Sequence, residues 1–193
     1  IIQVHGDRLV GSLCSTILNK RNDKFGATLE NRTRFALQLV KSLKKAVPGM
    51  PIDYKFSVVT PERGKGGIDL NEAPIFAKWL EEAGVDMLHV AQANHTGNMA
   101  DTIPPMGVQP YGFFVDIASQ IKKAVTIPVS TVGRIFNPKM AESILETDKV
   151  DIIGLGRILL ADPDWVNKTK DNKIEDIRQC ISCNKGCTDN IQN

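Results

Sequence analysis

Two kinds of apolar pattern alternate along the chain. Short runs of consecutive apolar residues predict buried strands at 1–5, 52–57, 86–92, 127–132 and 150–155. Between them, apolar residues at helical spacing predict amphipathic helices at 29–47, 71–83, 113–125 and 138–147. The residues after Arg157 are mostly polar and predict only short helices. Strands that alternate with helices indicate an α/β fold with a parallel sheet.

The pattern leaves two ways of closing the sheet. No low-complexity tract or linker divides the 193 residues, so we predict one domain. The strands could belong to an open, doubly wound sheet or to part of an eight-stranded TIM (β/α)8 barrel. The hydrophobic pattern alone favours neither closure.

Composition excludes some classes of function. The chain is 42% hydrophobic and 24% charged, which is ordinary for a globular protein. Its net charge of +2 gives no reason to expect a nucleic acid as partner. There is no apolar run of membrane-spanning length and no leader with a charged and then an apolar part. The chain starts inside an apolar run, Ile1-Ile2-Gln3-Val4, as an excerpt or a processed product would.

Three cysteines near the C-terminus carry the clearest metal-binding pattern. Cys180, Cys183 and Cys187 have Cys-x2-Cys-x3-Cys spacing, which lets neighbouring thiolates converge on one soft metal centre. Iron–sulfur clusters and structural zinc normally need four ligands, and the remaining cysteine is the distant Cys14. Either the fold brings Cys14 back, or the fourth ligand is outside this chain. This grouping does not resemble a secreted disulfide framework, so we expect a reducing, cytoplasmic setting.

Two similar turns follow the last two predicted strands. Gly133-Arg134 follows one strand and Gly156-Arg157 follows the other. Both closures place ligands at the C-terminal strand ends. Glycine lets backbone N–H groups approach an anion closely, and arginine adds a forked positive charge. One such turn would more often cap a helix or form an ion pair, but the pair favours a phosphate site.

Two histidines and a lysine are further candidates, and the third histidine is predicted to be structural. His5 and His95 follow predicted strands, where imidazole can bind an oxyanion or transfer a proton, although a structural role is as common. Lys55, in the second strand, could neutralise an electron-rich ring or pair with a carboxylate. His89, within Leu88-His89-Val90, is predicted to be buried in the barrel wall or core.

Several sequence blocks together resemble one family. They are His5-Gly6, Asn19-Lys20-Arg21-x-Asp23, Gly26-Ala27-Thr28-Leu29-Glu30-Asn31-Arg32-x-Arg34-Phe35, both Gly-Arg turns, Ala161-Asp162-Pro163 and the cysteine run. The chain resembles the old yellow enzyme-like NADH:flavin oxidoreductases, in the iron–sulfur branch of 2,4-dienoyl-CoA, enoate and bile-acid-inducible reductases. The resemblance implies a TIM barrel of which this chain supplies about the last five strands. Residues 1–165 would be the partial FMN-binding barrel, and residues 166–193 the start of an incomplete iron–sulfur segment.

The resemblance also implies cofactor contacts. Gly133-Arg134 and Gly156-Arg157 would hold the FMN phosphate. Lys55 occupies the place where the family usually has an arginine beside the flavin pyrimidine ring, so it keeps the charge and loses the planar fork.

The same resemblance implies the catalytic groups. His5 stands where the family binds the carbonyl oxygen of the substrate, but the partner position is Arg8 and the tyrosine position is Val10. His95 is similar to a histidine that supplies a proton in the dienoyl-CoA reductase branch. We therefore expect His95 to donate the proton and His5 to orient the substrate.

The cysteines take a defined role under this resemblance. Cys180, Cys183 and Cys187 would be the first three ligands of a 4Fe-4S cluster, with the fourth just beyond Asn193. Zinc remains the alternative metal. Cys14 is the less favoured fourth ligand, because it belongs to the loop after the first strand.

The implied function is an ene-reductase. Reduced FMN would pass hydride to an α,β-unsaturated carbonyl or thioester, with NAD(P)H as electron source and, in long family members, FAD in a further C-terminal module. The expected partner is a small unsaturated substrate, and a homo-oligomer is compatible with the resemblance. Two alternatives are a non-flavin barrel enzyme with a phosphorylated substrate and a zinc-binding or electron-transfer module. Because a barrel without its first strands has an incomplete pocket, we expect these 193 residues alone to bind FMN weakly and to be inactive.

Overall fold

A parallel sheet forms the centre of the molecule. The computed structural model describes residues 1–3, 8–60, 66–91, 103 and 105–188. Within them, the strands are β1 (Ile2–Gln3), β2 (Asp53–Val59), β3 (Ile68–Asp69), β4 (Met87–Ala91), β5 (Val129–Thr131) and β6 (Ile152–Ile153). The helices are α1 (Leu9–Cys14), α2 (Leu29–Ala46), α3 (Ala73–Ala83), α4 (Val115–Lys122), α5 (Pro138–Glu146), α6 (Arg157–Ala161) and α7 (Trp165–Lys170), followed by a 3-10 turn at Ile174–Asp176.

The strand order distinguishes the two closures. The sheet runs β1-β2-β4-β5-β6, all neighbours are parallel, and the short β3 pairs with β2 off this path. Along that path each later strand is added on the same side, as in a barrel, whereas a doubly wound sheet reverses direction at a switch point. The parallel α/β prediction is confirmed, and the order favours part of a barrel.

The two faces of β2 differ in burial. Tyr54, Phe56 and Val58 are buried, and the Tyr54 and Phe56 rings pack on Phe76 of α3 at centroid distances of 6.2 and 5.5 Å. Residues in between, including Lys55, are half-buried on the opposite face, as period-two alternation requires. The hydrophobic core therefore lies between the sheet and its helices, and the other face is left for polar groups.

Local signals explain the helix ends. The Thr28 hydroxyl accepts a hydrogen bond from the Asn31 N–H at the start of α2, and Lys44 and Lys45 lie in its last turn. Gly84 ends α3 in the left-handed conformation, which costs glycine little. None of the helices in the described part of the chain has the length and apolar character needed to cross a membrane.

The structure also corrects the predicted elements. The stretch after the first strand was predicted as a loop, but it contains α1, whose six residues are too few to show a helical period. The two-residue β3 was not predicted either. The last strand, β6, is shorter than predicted, while the short helices expected after residue 157 are present. Positions 4 and 5 of the first predicted strand lie outside the described residues.

Candidate active site

A cleft of about 390 Å³ lies at the C-terminal ends of the parallel strands. Its wall includes Lys55 from β2, the Gly133-Arg134 turn after β5 and the Gly156-Arg157 turn after β6. These are all five residues that the sequence proposed for cofactor binding. The fold thus brings together three cations that are far apart in the chain.

Arg134 is held by the loop that precedes α4. Its guanidinium lies 4.5 Å from the centroid of the Tyr111 ring, and its Nη1 donates to the Gln109 carbonyl. The residue is only 7% exposed, and its buried Nε finds no hydrogen-bond partner among the described residues. A buried cation with an unsatisfied N–H has donor capacity left for an anion.

Arg157 begins α6 on the other side of the same cleft. Its Nη1 donates to Oδ1 of Asn184 at 2.7 Å, and its guanidinium lies 5.8 Å from the centroid of the Phe136 ring. Burial lowers the pKa of Arg157, while the nearby thiols of the cysteine run act to raise it. Because arginine remains charged throughout the accessible pH range, the site retains this positive charge.

The two glycines of the turns have different surroundings. Gly133 has a φ of 118°, and a Cβ built on it would lie 3.0 Å from atoms of the Phe113 and Phe114 rings. A Cβ on Gly156 would meet nothing within 4 Å. Gly133 is therefore required by backbone conformation and packing, whereas Gly156 borders open space in the cleft where a ligand could approach the backbone.

Lys55 and His89 share the inner wall of the cleft. They are register partners on β2 and β4. Burial lowers the pKa of Lys55, and the Asp53 carboxylate opposes that shift. Burial also lowers the pKa of His89, which the positive charge of Lys55 lowers further while Asp53 opposes. The imidazole is consequently neutral at neutral pH.

His89 was not predicted as a site residue. The sequence placed it in the barrel wall or core, and the structure has it half-buried in the wall and lining the cleft. Its Nε2 is buried and lacks a partner within the described part of the molecule. The signal that could have identified it is strand alternation, because His89 falls between the buried Leu88 and Val90.

The cysteine run lies beside Arg157. Cys180 and Cys187 are half-buried and Cys183 is exposed. Among the described residues, no three or more His, Cys, Asp or Glu side chains are grouped closely enough to hold a metal ion. Cys14 is buried in the core, where burial raises the pKa of its thiol to about 12. The described cysteines are not grouped as one metal site, so the cluster stays a prediction.

His5 and His95 lie outside the described residues, so their roles also stay predictions.

Comparison with known proteins identifies the family. Residues 1–176 match the NADH:flavin oxidoreductase / NADH oxidase family. The chain belongs to this family. It is 59% identical to a bilirubin reductase of Mediterraneibacter gnavus (strain CC55_001C), over 100% of the chain and 30% of that relative. It is 41% identical to a bilirubin reductase of Clostridium symbiosum (strain WAL-14163), over 97% of the chain and 51% of the relative.

A solved structure supports the same assignment. The structure of a 2-naphthoyl-CoA reductase in complex with 2-naphthoyl-CoA superimposes with a TM-score of 0.81 at 28% identity, covering 93% of this chain and 27% of that one. The chain therefore spans about half or less of the length of these relatives. The predicted barrel and the predicted family are confirmed, and the doubly wound alternative is excluded.

Family membership implies the use of a flavin and of NADH. The described cleft fits FMN in three respects: it contains two arginines for a phosphate, open space at Gly156, and Lys55 on the inner wall. The Nε of Arg134, for which the described part of the chain offers no acceptor, is an additional donor.

Proposed function

We propose that this chain forms the FMN-binding part of an ene-reductase. Such an enzyme reduces a carbon–carbon double bond conjugated with a carbonyl or thioester, with NAD(P)H as the electron source. The observation that carries the proposal is the convergence of Lys55 and both Gly-Arg turns on one cleft at the strand ends. A non-flavin barrel enzyme would share the turns, but membership of a flavin family argues against it.

Each part of the cleft has a separate task in this scheme. FMN, when bound, supplies the hydride chemistry. Arg134 and Arg157 would hold the phosphate from two sides, where forked guanidinium donors match its geometry. Lys55 would place a positive charge against the electron-rich part of the ring, and burial strengthens that interaction. Apolar neighbours such as Phe114 and Ile158 line the same cleft and would pack against a bound ring.

Proton transfer is assigned by resemblance. We propose that His95 donates the proton to the substrate and that His5 orients its oxygen, since imidazole serves both tasks near neutral pH.

The relatives suggest a substrate. Two of them are named bilirubin reductases, and the neighbouring structure holds 2-naphthoyl-CoA. Bilirubin is a linear tetrapyrrole whose two halves each contain a lactam carbonyl conjugated with carbon–carbon double bonds, which agrees with an acceptor whose double bond is activated by a carbonyl. Because identity is higher to the bilirubin reductases, we propose bilirubin, or a similar linear tetrapyrrole, as the substrate.

We also propose a 4Fe-4S cluster whose first three ligands are Cys180, Cys183 and Cys187. Support comes from their spacing and from their position near Arg157. A cluster of this kind is compatible with a cytoplasmic setting. Iron and acid-labile sulfide in the purified protein, both lost in Cys183→Ser, would support it; zinc at one equivalent without iron would contradict it.

The function is tested on the protein as its gene encodes it. After anaerobic purification, we expect a flavin absorption spectrum, FMN on release, and NADH- or NADPH-dependent loss of bilirubin absorbance. Cinnamate and 2-naphthoyl-CoA would be compared as alternative acceptors. A protein that contains no flavin, or that reduces none of these compounds, would refute the proposal.

Lys55 offers a sharper test within the same protein. Lys55→Met should weaken FMN binding about tenfold, because one charged contact to the ring is lost. Lys55→Arg should retain most of the affinity, since it keeps the cation. Lys41→Met, on the exposed face of α2, is the matched control and should leave binding unchanged. Equal FMN affinities for Lys55→Met and the wild type would show that Lys55 does not contribute to FMN binding.

A further inference from the structure

Asn184 lies within the cysteine run and contacts two parts of the cleft wall. Its Oδ1 accepts a hydrogen bond from Nη1 of Arg157 at 2.7 Å, and its Nδ2 donates to the carbonyl of Ile103 at 3.0 Å. Both Arg157 and Ile103 line the cleft. One carboxamide therefore joins the arginine of the last Gly-Arg turn to the segment that follows β4.

The backbone around Asn184 is arranged for these contacts. Ser182 and Asn184 have φ values of 55° and 61°, in the left-handed region that asparagine tolerates better than most residues. The Ser182 carbonyl accepts a hydrogen bond from the Met106 N–H at 3.0 Å, and Ser182 is only 1% exposed. The cysteine run is thus docked on the loop before α4 by its backbone, and Asn184 extends from it toward the cleft.

The chemistry of the carboxamide suits the arginine. Arginine has many rotamers, and a bound ligand must otherwise restrict them. A neutral acceptor fixes the guanidinium and leaves its full positive charge for an anion. A carboxylate in the same place would neutralise that charge and repel a phosphate. An asparagine, with an acceptor for Arg157 and a donor for the Ile103 carbonyl, satisfies both partners at once.

We propose that Asn184 is a positioning residue for cofactor binding, which acts by holding Arg157 in place for the phosphate. This rests on the proposed function, because it takes FMN as the ligand of the cleft. It follows that docking of the cysteine run and binding of the phosphate are coupled through one side chain: each stabilises the arrangement that the other requires.

The test compares two flavins that differ only in the phosphate. The protein as its gene encodes it is freed of flavin, and the dissociation constants of FMN and riboflavin are measured by flavin fluorescence. Asn184→Gly removes the carboxamide without backbone strain. It should raise the dissociation constant of FMN about tenfold and leave that of riboflavin unchanged. Asn184→Asp should weaken FMN binding at least as much and should also leave riboflavin binding unchanged.

The matched control is Asn172→Gly. Asn172 is also an asparagine in the left-handed region, with a φ of 57°, but it is exposed and is not one of the described residues that line the cleft. Asn172→Gly makes the same asparagine-to-glycine replacement at a left-handed position, and it should leave both dissociation constants unchanged. In an Arg157→Ala background, Asn184→Gly should have no further effect on FMN, because the group that it positions is gone.

The outcomes separate the inference from the proposed function. Wild-type protein that binds FMN, together with Asn184→Gly that binds FMN equally well, overturns the inference alone. Equal weakening of FMN and riboflavin in Asn184→Gly overturns it too, since that would reflect general loosening of the cleft. Wild-type protein that binds neither flavin overturns the inference together with the proposed function.

Discussion

Lys55 and His89 stand side by side on neighbouring strands in the wall of the cleft. Burial lowers the pKa of each, and the lysine charge lowers that of the histidine further. A neutral His89 adds hydrogen-bonding capacity to the site without adding charge. This matters because Lys55, Arg134 and Arg157 already supply three positive charges, and a fourth would repel them.

Substitution of the two glycines in the Gly-Arg turns should have different effects, one on stability and the other on FMN affinity. In Gly133→Ala, the new methyl group would press on Phe113 and Phe114 at a positive φ, so we expect the free energy of unfolding to fall by about 1–3 kcal/mol. In Gly156→Ala, the methyl group would enter open space in the cleft, so stability should change by at most about 1 kcal/mol while FMN affinity falls about tenfold.

Urea unfolding and fluorescence titration with FMN measure the two effects, and each variant is the control for the other. Equal destabilisation of both would contradict the packing argument for Gly133. Wild-type FMN affinity in Gly156→Ala would show that no cofactor approaches that glycine.

At the scale of elements, the accuracy of prediction follows the length of the repeating pattern. The helix predicted at 29–47 is observed at Leu29–Ala46, because several turns of apolar periodicity and a Thr28 cap define it. The six residues of α1 and the two of β3 are too short to carry such a pattern. Their formation depends on tertiary contacts, which the local sequence does not show.

The same distinction applies to the candidate site. The sequence could predict that both Gly-Arg turns and Lys55 line one cleft, because the strand ends of a parallel sheet meet at one edge. The contact between Arg157 and Asn184 could not, since it joins side chains 27 residues apart across a turn whose path the sequence does not specify. The direction of His89 was readable from alternation along β4.

An ion pair between a buried arginine and a partly exposed carboxylate joins two helices. Arg32 of α2, only 3% exposed, donates to the Glu72 carboxylate at 2.6 Å and also to the Cys14 carbonyl. Glu72 immediately precedes α3. The pair therefore ties α2 to the start of α3 and to the end of α1.

Glu72→Gln should be clearly destabilising, because it leaves the Arg32 charge buried without its carboxylate. We expect a loss of about 2–3 kcal/mol in the free energy of unfolding, measured by urea titration. Glu82→Gln, on the exposed face of α3, is the matched control and should change stability by less than about 0.5 kcal/mol. Similar small effects in both variants would mean that the ion pair does not hold these helices together.

At the scale of the whole molecule, one carboxylate attaches the cysteine run to the barrel. Asp162, which follows α6 and is only 4% exposed, accepts hydrogen bonds from Lys168 Nζ at 2.7 Å and from the Arg178 N–H at 2.8 Å. Arg178 lies two positions before Cys180, so Asp162 fixes the point at which the run leaves the barrel. Asn184 then fixes its far end at Arg157.

This attachment should depend on pH. The hydrogen bond from Lys168, with that from Arg178, lowers the pKa of Asp162 below its ordinary value of 3.8. For a carboxylate with a lowered folded-state pKa, the stabilisation is complete above the unfolded value and is lost as the pH falls through the folded value. The attachment should therefore be intact at neutral pH and weaken only in strong acid.

Asp162→Ala should loosen the start of the cysteine run at neutral pH. In metal-free protein, the half-buried Cys180 should then react with a thiol reagent about tenfold faster, because its protected state loses charge-assisted hydrogen bonds. The already exposed Cys183 should react at an unchanged rate and provides an internal reference. Asp164→Ala, two residues away and exposed, is the matched control. An unchanged rate for Cys180 in Asp162→Ala, measured by mass spectrometry of the labelled peptides, would show that other contacts hold the run in place.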